Sequence, residues 1–327
     1  MSTSRQRPPS NRKPPTPKAS TSARSRAVVT GSAGALGQLL VRKLHRTHEV
    51  IGVDRRPFID RPKDVEHHRI DLRRKSAFLL VKQQRPDAIL HLGVMHNPRK
   101  EMGAEAFHYN LDVMSQVLRL CEQLEVKKFV FLSTANLYGA SATSSGFLTE
   151  EAPLLGAGKS PGWRDLISLD MMVQSFFWKH PEIETVVLRP VNIVGPHLRN
   201  APSKYLRKRT IPTILGFDPM IQLIHELDVI DALVAALRPG VRGIFNLTGA
   251  GQAPLSRLIE ARGARQLPLP EPLIKLAVDR AFRLRLSSFP AEEIDFLKYS
   301  CLVDGSRAHT ELSFAPRHSL RATVRDA

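Results

Sequence analysis

Arg26-Ala27-Val28-Val29-Thr30-Gly31-Ser32-Ala33-Gly34-Ala35-Leu36-Gly37 is the stretch that decides the fold of this chain. Ala27, Val28 and Val29 read as a short buried strand, and the three glycines space a turn that opens into a helix near Leu36. Each glycine has a physical task in a dinucleotide site: Gly31 permits the tight turn, Gly34 lets main chain approach a pyrophosphate, and Gly37 lets helix and strand pack closely. The helix N-terminus then offers unpaired N–H groups and a partial positive charge to the anion.

Glu49-Val50-Ile51-Gly52-Val53-Asp54 reads as a second apolar strand ending in a carboxylate, 17 residues after Gly37. A βαβ nucleotide unit places its ribose-binding acid at about this point. Asp54 favours NAD over NADP, because a carboxylate repels a 2′-phosphate. Arg55 and Arg56 follow directly and could accommodate that phosphate instead.

The 327 residues suffice for one large core or two smaller ones. No apolar run approaches the length of a spanning helix, and the N-terminus has charge but no apolar signal core. Cys121 and Cys301 have neither metal nor disulfide spacing, so no metal is expected and a reducing cytoplasm fits. Seven of the +17 net charges lie in residues 1–26 without an acid, leaving +10 for the rest. Residues 1–25, rich in Pro and Ser as well, read as a disordered basic tail. Such a tail is usually solvated; anionic lipid or nucleic acid would be held by charge alone, with no specific nucleic-acid partner expected.

Further strands are expected near 69–72, 87–93, 128–134, 185–190 and 243–247, with helices over 73–85, 101–125 and 164–179. This alternation predicts an α/β fold, a doubly wound parallel sheet. Beyond residue 196 the pattern becomes irregular and richer in Pro and Arg. The expected division is therefore a nucleotide-binding domain over 26–195 and a smaller C-terminal substrate lobe over 196–327, interleaved with a last strand near 243–248.

Taken in order, these motifs resemble the extended short-chain dehydrogenase/reductases, specifically the NAD-dependent epimerase/dehydratase family that includes UDP-glucose 4-epimerase. The likeness covers roughly residues 26–320. It is carried by Thr30–Gly37, Asp54, Asp71-Leu72, His91-Leu92-Gly93, Asn110, Ser133–Gly139, Thr149–Pro153, Leu188–Pro196 and Ile224–Asp228. The resemblance implies a Rossmann domain in which Gly31, Ser32, Ala33, Gly34, Ala35, Leu36, Gly37, Asp54, Arg55, Asp71, Leu72, Leu92, Gly93, Asn110 and Pro190 hold NAD. It makes Thr134 the hydroxyl that orients a sugar-like substrate, and puts Asn192 and Arg199 on the substrate. Arg199, Lys204, Arg207, Lys208 and Arg209 cluster where the family grips a nucleotide diphosphate. Tyr138 is expected to pack the sheet end, and His225 and Asp228 to fix a loop. The family's usual homodimer would bury the apolar face of the 164–179 helix.

One departure stands out. The family's proton relay is Tyr-x-x-x-Lys on that same helix. The tyrosine should fall near 162–163 and the lysine near 166–167, where Gly162, Trp163, Leu166 and Ile167 stand. A phenol must be tuned toward neutrality by a neighbouring ammonium before it takes a hydroxyl proton, and indole or aliphatic groups cannot do so. Lys159, Glu150, Glu151 and Asp165 are the surrogates within reach on paper. The diphosphate arginine usually found before the Ile-His-x-x-Asp motif is also missing. The expected function is an NAD-dependent epimerase/dehydratase-type oxidoreductase acting on a nucleotide-sugar-like substrate. The alternative is a catalytically impaired NAD-binding sensor or scaffold. Residues 272–287 form a basic amphipathic helix that would pack on the small lobe or lie on a membrane surface.

Overall fold

Ala27, Val28, Val29 and Thr30 are all buried, as a strand covered on both faces requires. The computed structural model describes residues 24–94, 103–144, 146–158, 161–283 and 291–327. Most of the basic tail, residues 1–23, lies outside that set, as does Lys159.

In chain order, the first half runs β1 (Arg26–Thr30), α1 (Ala35–Leu44), β2 (Glu49–Asp54), β3 (Glu66–Arg69), α2 (Lys75–Gln84), β4 (Ala88–His91), α3 (Gly103–Gln123), β5 (Lys128–Leu132) and β6 (Phe147–Leu148). It continues with α4 (Pro161–Lys179), β7 (Glu184–Pro190), β8 (Asn192–Val194), α5 (Ala201–Leu206), β9 (Thr210–Ile214), β10 (Met220–His225) and α6 (Glu226–Ala235). The last part is β11 (Gly243–Leu247), β12 (Gln252–Pro254), α7 (Leu255–Ala261), β13 (Arg265–Leu269), α8 (Glu271–Arg283), β14 (Leu302–Val303), α9 (Ser306–Thr310) and α10 (Leu320–Arg325).

Seven strands form one parallel sheet in the order β11-β7-β5-β4-β1-β2-β3. The chain winds outward in both directions from β1, so a switch point lies between β1 and β4, where such sheets bind ligands at the strands' carboxyl ends. Leu40, Val41 and Leu44 of α1 and Val229, Ile230 and Leu233 of α6 cover one face. Val113, Met114 and Val117 of α3, with Leu166, Leu169 and Val173 of α4, cover the other.

Two local boundaries differ from the sequence reading. β3 ends at Arg69, because Asp71 accepts the Arg73 N–H and turns the chain toward α2. Helix α4 starts at Pro161, three residues early; proline suits the first turn, where its missing N–H would be unpaired in any case.

The C-terminal half interleaves with this sheet. β8 pairs parallel and β12 antiparallel with β10, and β9 pairs with β13. The chain returns to the main sheet through α6 and β11 between those pieces. Ile274 of α8 packs on Ile214 and Ile294, so this basic helix lies on the lobe. No helix among the described residues is long and apolar enough to cross a membrane.

Candidate functional site

The glycine turn ends β1 at the switch point. Gly31 has φ +75°, and a Cβ there would meet Gly93 main chain at 2.7 Å. A Cβ on Gly37 would stand 2.1 Å from the Gly31 carbonyl oxygen, so helix and turn are in contact through bare backbone. Gly34 has more room: its Cβ would lie 3.1 Å from that oxygen and 3.4 Å from Arg56 Nη2. Gly34 also N-caps α1 without a side-chain hydrogen bond, and the first turn carries no acid. The turn therefore presents a helix N-terminus with its positive end open, flanked by Ala33, Ala35 and Leu36. A pyrophosphate fits such a cradle.

Asp54 closes the cradle at the end of β2. Its Oδ2 accepts the Ala33 N–H at 3.1 Å, and its Oδ1 accepts the Arg56 N–H at 2.9 Å and Arg56 Nε at 3.4 Å. Ser32 is buried with its hydroxyl 3.2 Å from His67 Nδ1, while His67 Nε2 lies 3.1 Å from the Arg56 carbonyl. The Ser32 side chain thus anchors the loop to β3, leaving main chain as its means of reaching a ligand. Leu72 is likewise buried in the core beside Ala77 and Val81. Asp71 is forked by Arg73, with Nη2 2.9 Å from Oδ2. The guanidinium groups of Arg55 and Arg73 both lie over one ring, that of Tyr109, at 4.6 and 4.8 Å. Burial pushes that phenol up to about 12. Leu92 is partly buried below Gly93, and Asn110 is buried on α3.

Thr134 sits at the end of β5, where its Oγ1 accepts the Asn136 N–H at 3.3 Å and caps a single 3₁₀ turn. Asn136 Nδ2 donates to Asn192 Oδ1 at 3.3 Å. The expected hydroxyl and the expected substrate amide are therefore joined through one intervening residue, by the main-chain N–H of Asn136 on one side and its side chain on the other. Pro190 pairs with Leu247 on the sheet just before Asn192. Arg199 is exposed at the lobe's edge, and Arg207 is committed to the Gly195 carbonyl at 2.9 Å.

Helix α4 is apolar at the positions where the sequence carries Trp163, Leu166 and Ile167. Leu166 and Ile167 are buried in the core, and Trp163 packs its ring 5.9 Å from Phe296. Two of the surrogates, Glu150 and Glu151, are engaged as well. Glu150 accepts the Asn246 N–H at 2.7 Å, and burial holds its carboxyl above the usual range. Glu151 pairs with Arg307, and Asp165 is buried on α4.

Sequence reasoning missed a buried polar chain beneath this site. Arg189, 1% exposed, forks Asp170, 0% exposed, with Nη2–Oδ1 2.6 Å and Nε–Oδ2 3.1 Å. Ser133 Oγ donates to Asp170 at 2.6 Å, and Arg189 Nη1 donates to the Tyr138 hydroxyl at 2.8 Å. That hydroxyl in turn donates to Asn246 Oδ1 at 2.9 Å, so Tyr138 packs and bonds the sheet end. The available signal was an arginine inside the apolar run Val186–Pro190, which a buried strand tolerates only with a partner. His225 and Asp228 do fix a loop: His225 Nδ1 caps α6, and Asp228 accepts the Arg317 N–H and His318 Nδ1.

The pattern of the NAD dependent epimerase/dehydratase family matches residues 27–248. The chain belongs to this family. It is 27% identical over 301 residues to an uncharacterised protein of Mycobacterium tuberculosis (strain ATCC 25618 / H37Rv), covering 89% of this chain and 80% of that one. The fold is shared with the Thermus thermophilus UDP-glucose 4-epimerase solved with NAD, at TM-score 0.71 and 20% identity over 92% of this chain and 97% of that one. It is equally shared with the Thermotoga maritima UDP-glucose 4-epimerase solved with UDP-glucose, at TM-score 0.70, 18% identity, and 92% and 96% coverage.

Proposed function

We propose that this chain is an NAD-dependent oxidoreductase of the epimerase/dehydratase type whose substrate is a nucleotide sugar or a close analogue. The observation that carries the reading is the cradle: Gly31, Gly34 and Gly37 keep bare main chain against an open helix N-terminus, with Asp54 bonded across its mouth. NAD bound there would supply a hydride acceptor. Around it, Thr134 would orient the reacting hydroxyl, Asn192 would fix the substrate, and Pro190 would shape the wall beside both. Arg199 would meet the diphosphate from the lobe.

The proton must leave by a route other than the family's tyrosine. A positioned base contributes on the order of 10²–10⁴ in rate, so turnover is expected to be slow by that factor. The apolar packing of Trp163, Leu166 and Ile167 is the one observation that favours the second reading, a dinucleotide-binding scaffold without turnover.

Titrating NAD-loaded protein with nucleotide sugars while following nicotinamide absorbance at ~340 nm separates the two. A rise with one nucleotide sugar supports the oxidoreductase, and silence across a panel, with NAD bound, supports the scaffold. The reading extends to a homodimer, because Met171 and Trp178 of α4 are 60% and 77% exposed and a second copy would cover them. A monomeric mass by light scattering would oppose that extension.

A further inference from the structure

Helix α8 has two faces, and the lobe accounts for only one of them. Ile274 is buried against Ile214 and Ile294, and Val278, one turn on, is half-buried in the same cluster. Leu273, Leu276, Ala277 and Arg280 recur at the spacing that lines a single helix face, and all four are exposed. Leu273 and Leu276 keep 55% and 56% of their surface open to water. A helix at a protein surface ordinarily gives its outer face to charged and polar side chains. Here that face is apolar as far as Arg280.

The strand before the helix repeats the pattern. Arg265, Gln266, Leu267 and Pro268 of β13 are all exposed. Leu267 shares a strand face with Leu269, whose side chain packs partly into the cluster that seats α8. From Arg262 to Arg280 the exposed residues include no acid, while Arg265, Lys275 and Arg280 are exposed cations. The two acids of α8 are withdrawn. Glu271 is half-buried and holds Lys275 at 2.6 Å and Lys298 at 2.9 Å. Asp279 is half-buried and engaged as well. The outer surface here is leucine and cation, with no exposed acid to balance the charge.

We infer that this patch is a docking surface for an anionic lipid bilayer, with α8 lying in the plane of the headgroups. A second copy of the chain fits poorly. A symmetric contact would set the patch against itself, cation against cation with no exposed acid to answer. An anionic bilayer meets both properties at once: apolar depth for Leu273 and Leu276, and negative surface charge for Arg265, Lys275 and Arg280. The 13-residue helix is about 20 Å long and flat on the lobe, so it lies on a membrane and does not cross one. None of these residues belongs to the dinucleotide cradle, so docking and cofactor binding succeed or fail independently.

Flotation of the purified full chain with lipid vesicles tests it, with phosphatidylcholine alone in one set and phosphatidylcholine mixed with phosphatidylglycerol in the other. The expected result is binding to the mixed vesicles and not to the neutral ones, weakening as salt is raised. Leu273→Gln combined with Leu276→Gln is expected to weaken that binding at least about tenfold, because two leucines no longer enter the bilayer. The same variant should melt with the parent, since both side chains face water. Arg280→Gln is expected to weaken binding about fivefold, the weight of one cation near a charged surface. Leu276→Trp gives a second readout: bromine-labelled lipid chains should quench the added indole. Equal binding to both vesicle types, or binding to neither, overturns the inference. Unchanged affinity in the double leucine variant overturns it too, because the basic residues 1–26 would then be holding the vesicle by charge alone.

Discussion

Gly34 and Gly37 stand three residues apart in one turn, yet filling them should do different damage. A Cβ at Gly37 runs into the Gly31 carbonyl oxygen at 2.1 Å, where both partners are backbone and neither can swing aside. Overpacking of this kind costs about 1–3 kcal/mol or more, so Gly37→Val is expected to lower the melting temperature by several degrees. At Gly34 the nearest contacts are 3.1 and 3.4 Å, the second to the end of a flexible arginine. Gly34→Val is therefore expected to melt close to the parent but to bind dinucleotide at least about tenfold more weakly, read by calorimetry beside a thermal scan. Undiminished affinity in a folded Gly34→Val protein would remove the pyrophosphate from this turn. The turn at Gly31 and the close packing at Gly37 were legible from spacing, because both are local demands. The engagement of Asp54 was not, since its partners Ala33 and Arg56 meet it only when loop and strand are assembled.

Among the elements, α4 is held in place by apolar packing and by one buried charge. Leu166 and Ile167 pack into the core, and Asp170, a turn further on, holds the helix to Ser133 just after β5 and to β7 through Arg189. A buried pair of this type contributes little net stability, whereas breaking it by removing one partner costs about 3–5 kcal/mol through the stranded charge. Arg189→Met is accordingly expected to lose that amount in urea denaturation. Arg189→Met combined with Asp170→Leu should recover most of it, because the second change removes the orphan. Equal losses in the single and double variants would mean that the pair attracts far more strongly than it is penalised by burial. The apolar periodicity of α4 was readable, and so was the oddity of a charge in the Val186–Pro190 run. Which carboxylate answered it was not, because Asp170 and Arg189 are brought together only by the docking of helix on sheet.

At the scale of the whole molecule, the expected division at residue 195 already interleaves a last strand near 243–248, and the chain crosses back over a longer stretch than that strand. Residues 226–247 cross back: α6 covers Leu40, Val41 and Leu44 of α1, and β11 pairs along β7 from Val186 to Pro190. Without them those three side chains, with Val186 and Leu188, would lose cover on one side. Each apolar side chain of this size is worth about 1.5–3 kcal/mol when fully buried, so five together approach the net stability of a domain, roughly 5–15 kcal/mol. β7 would also become an open edge with unpaired N–H and C=O groups. A protein of residues 24–195 is therefore expected to show no cooperative urea transition, by circular dichroism and tryptophan fluorescence together. Residues 24–327 should unfold in one transition at the parent's midpoint, since the seven-stranded sheet and the helices that cover both its faces lie within them. A sharp transition from 24–195 would instead make the nucleotide domain independent, and would return the boundary to where sequence composition alone puts it.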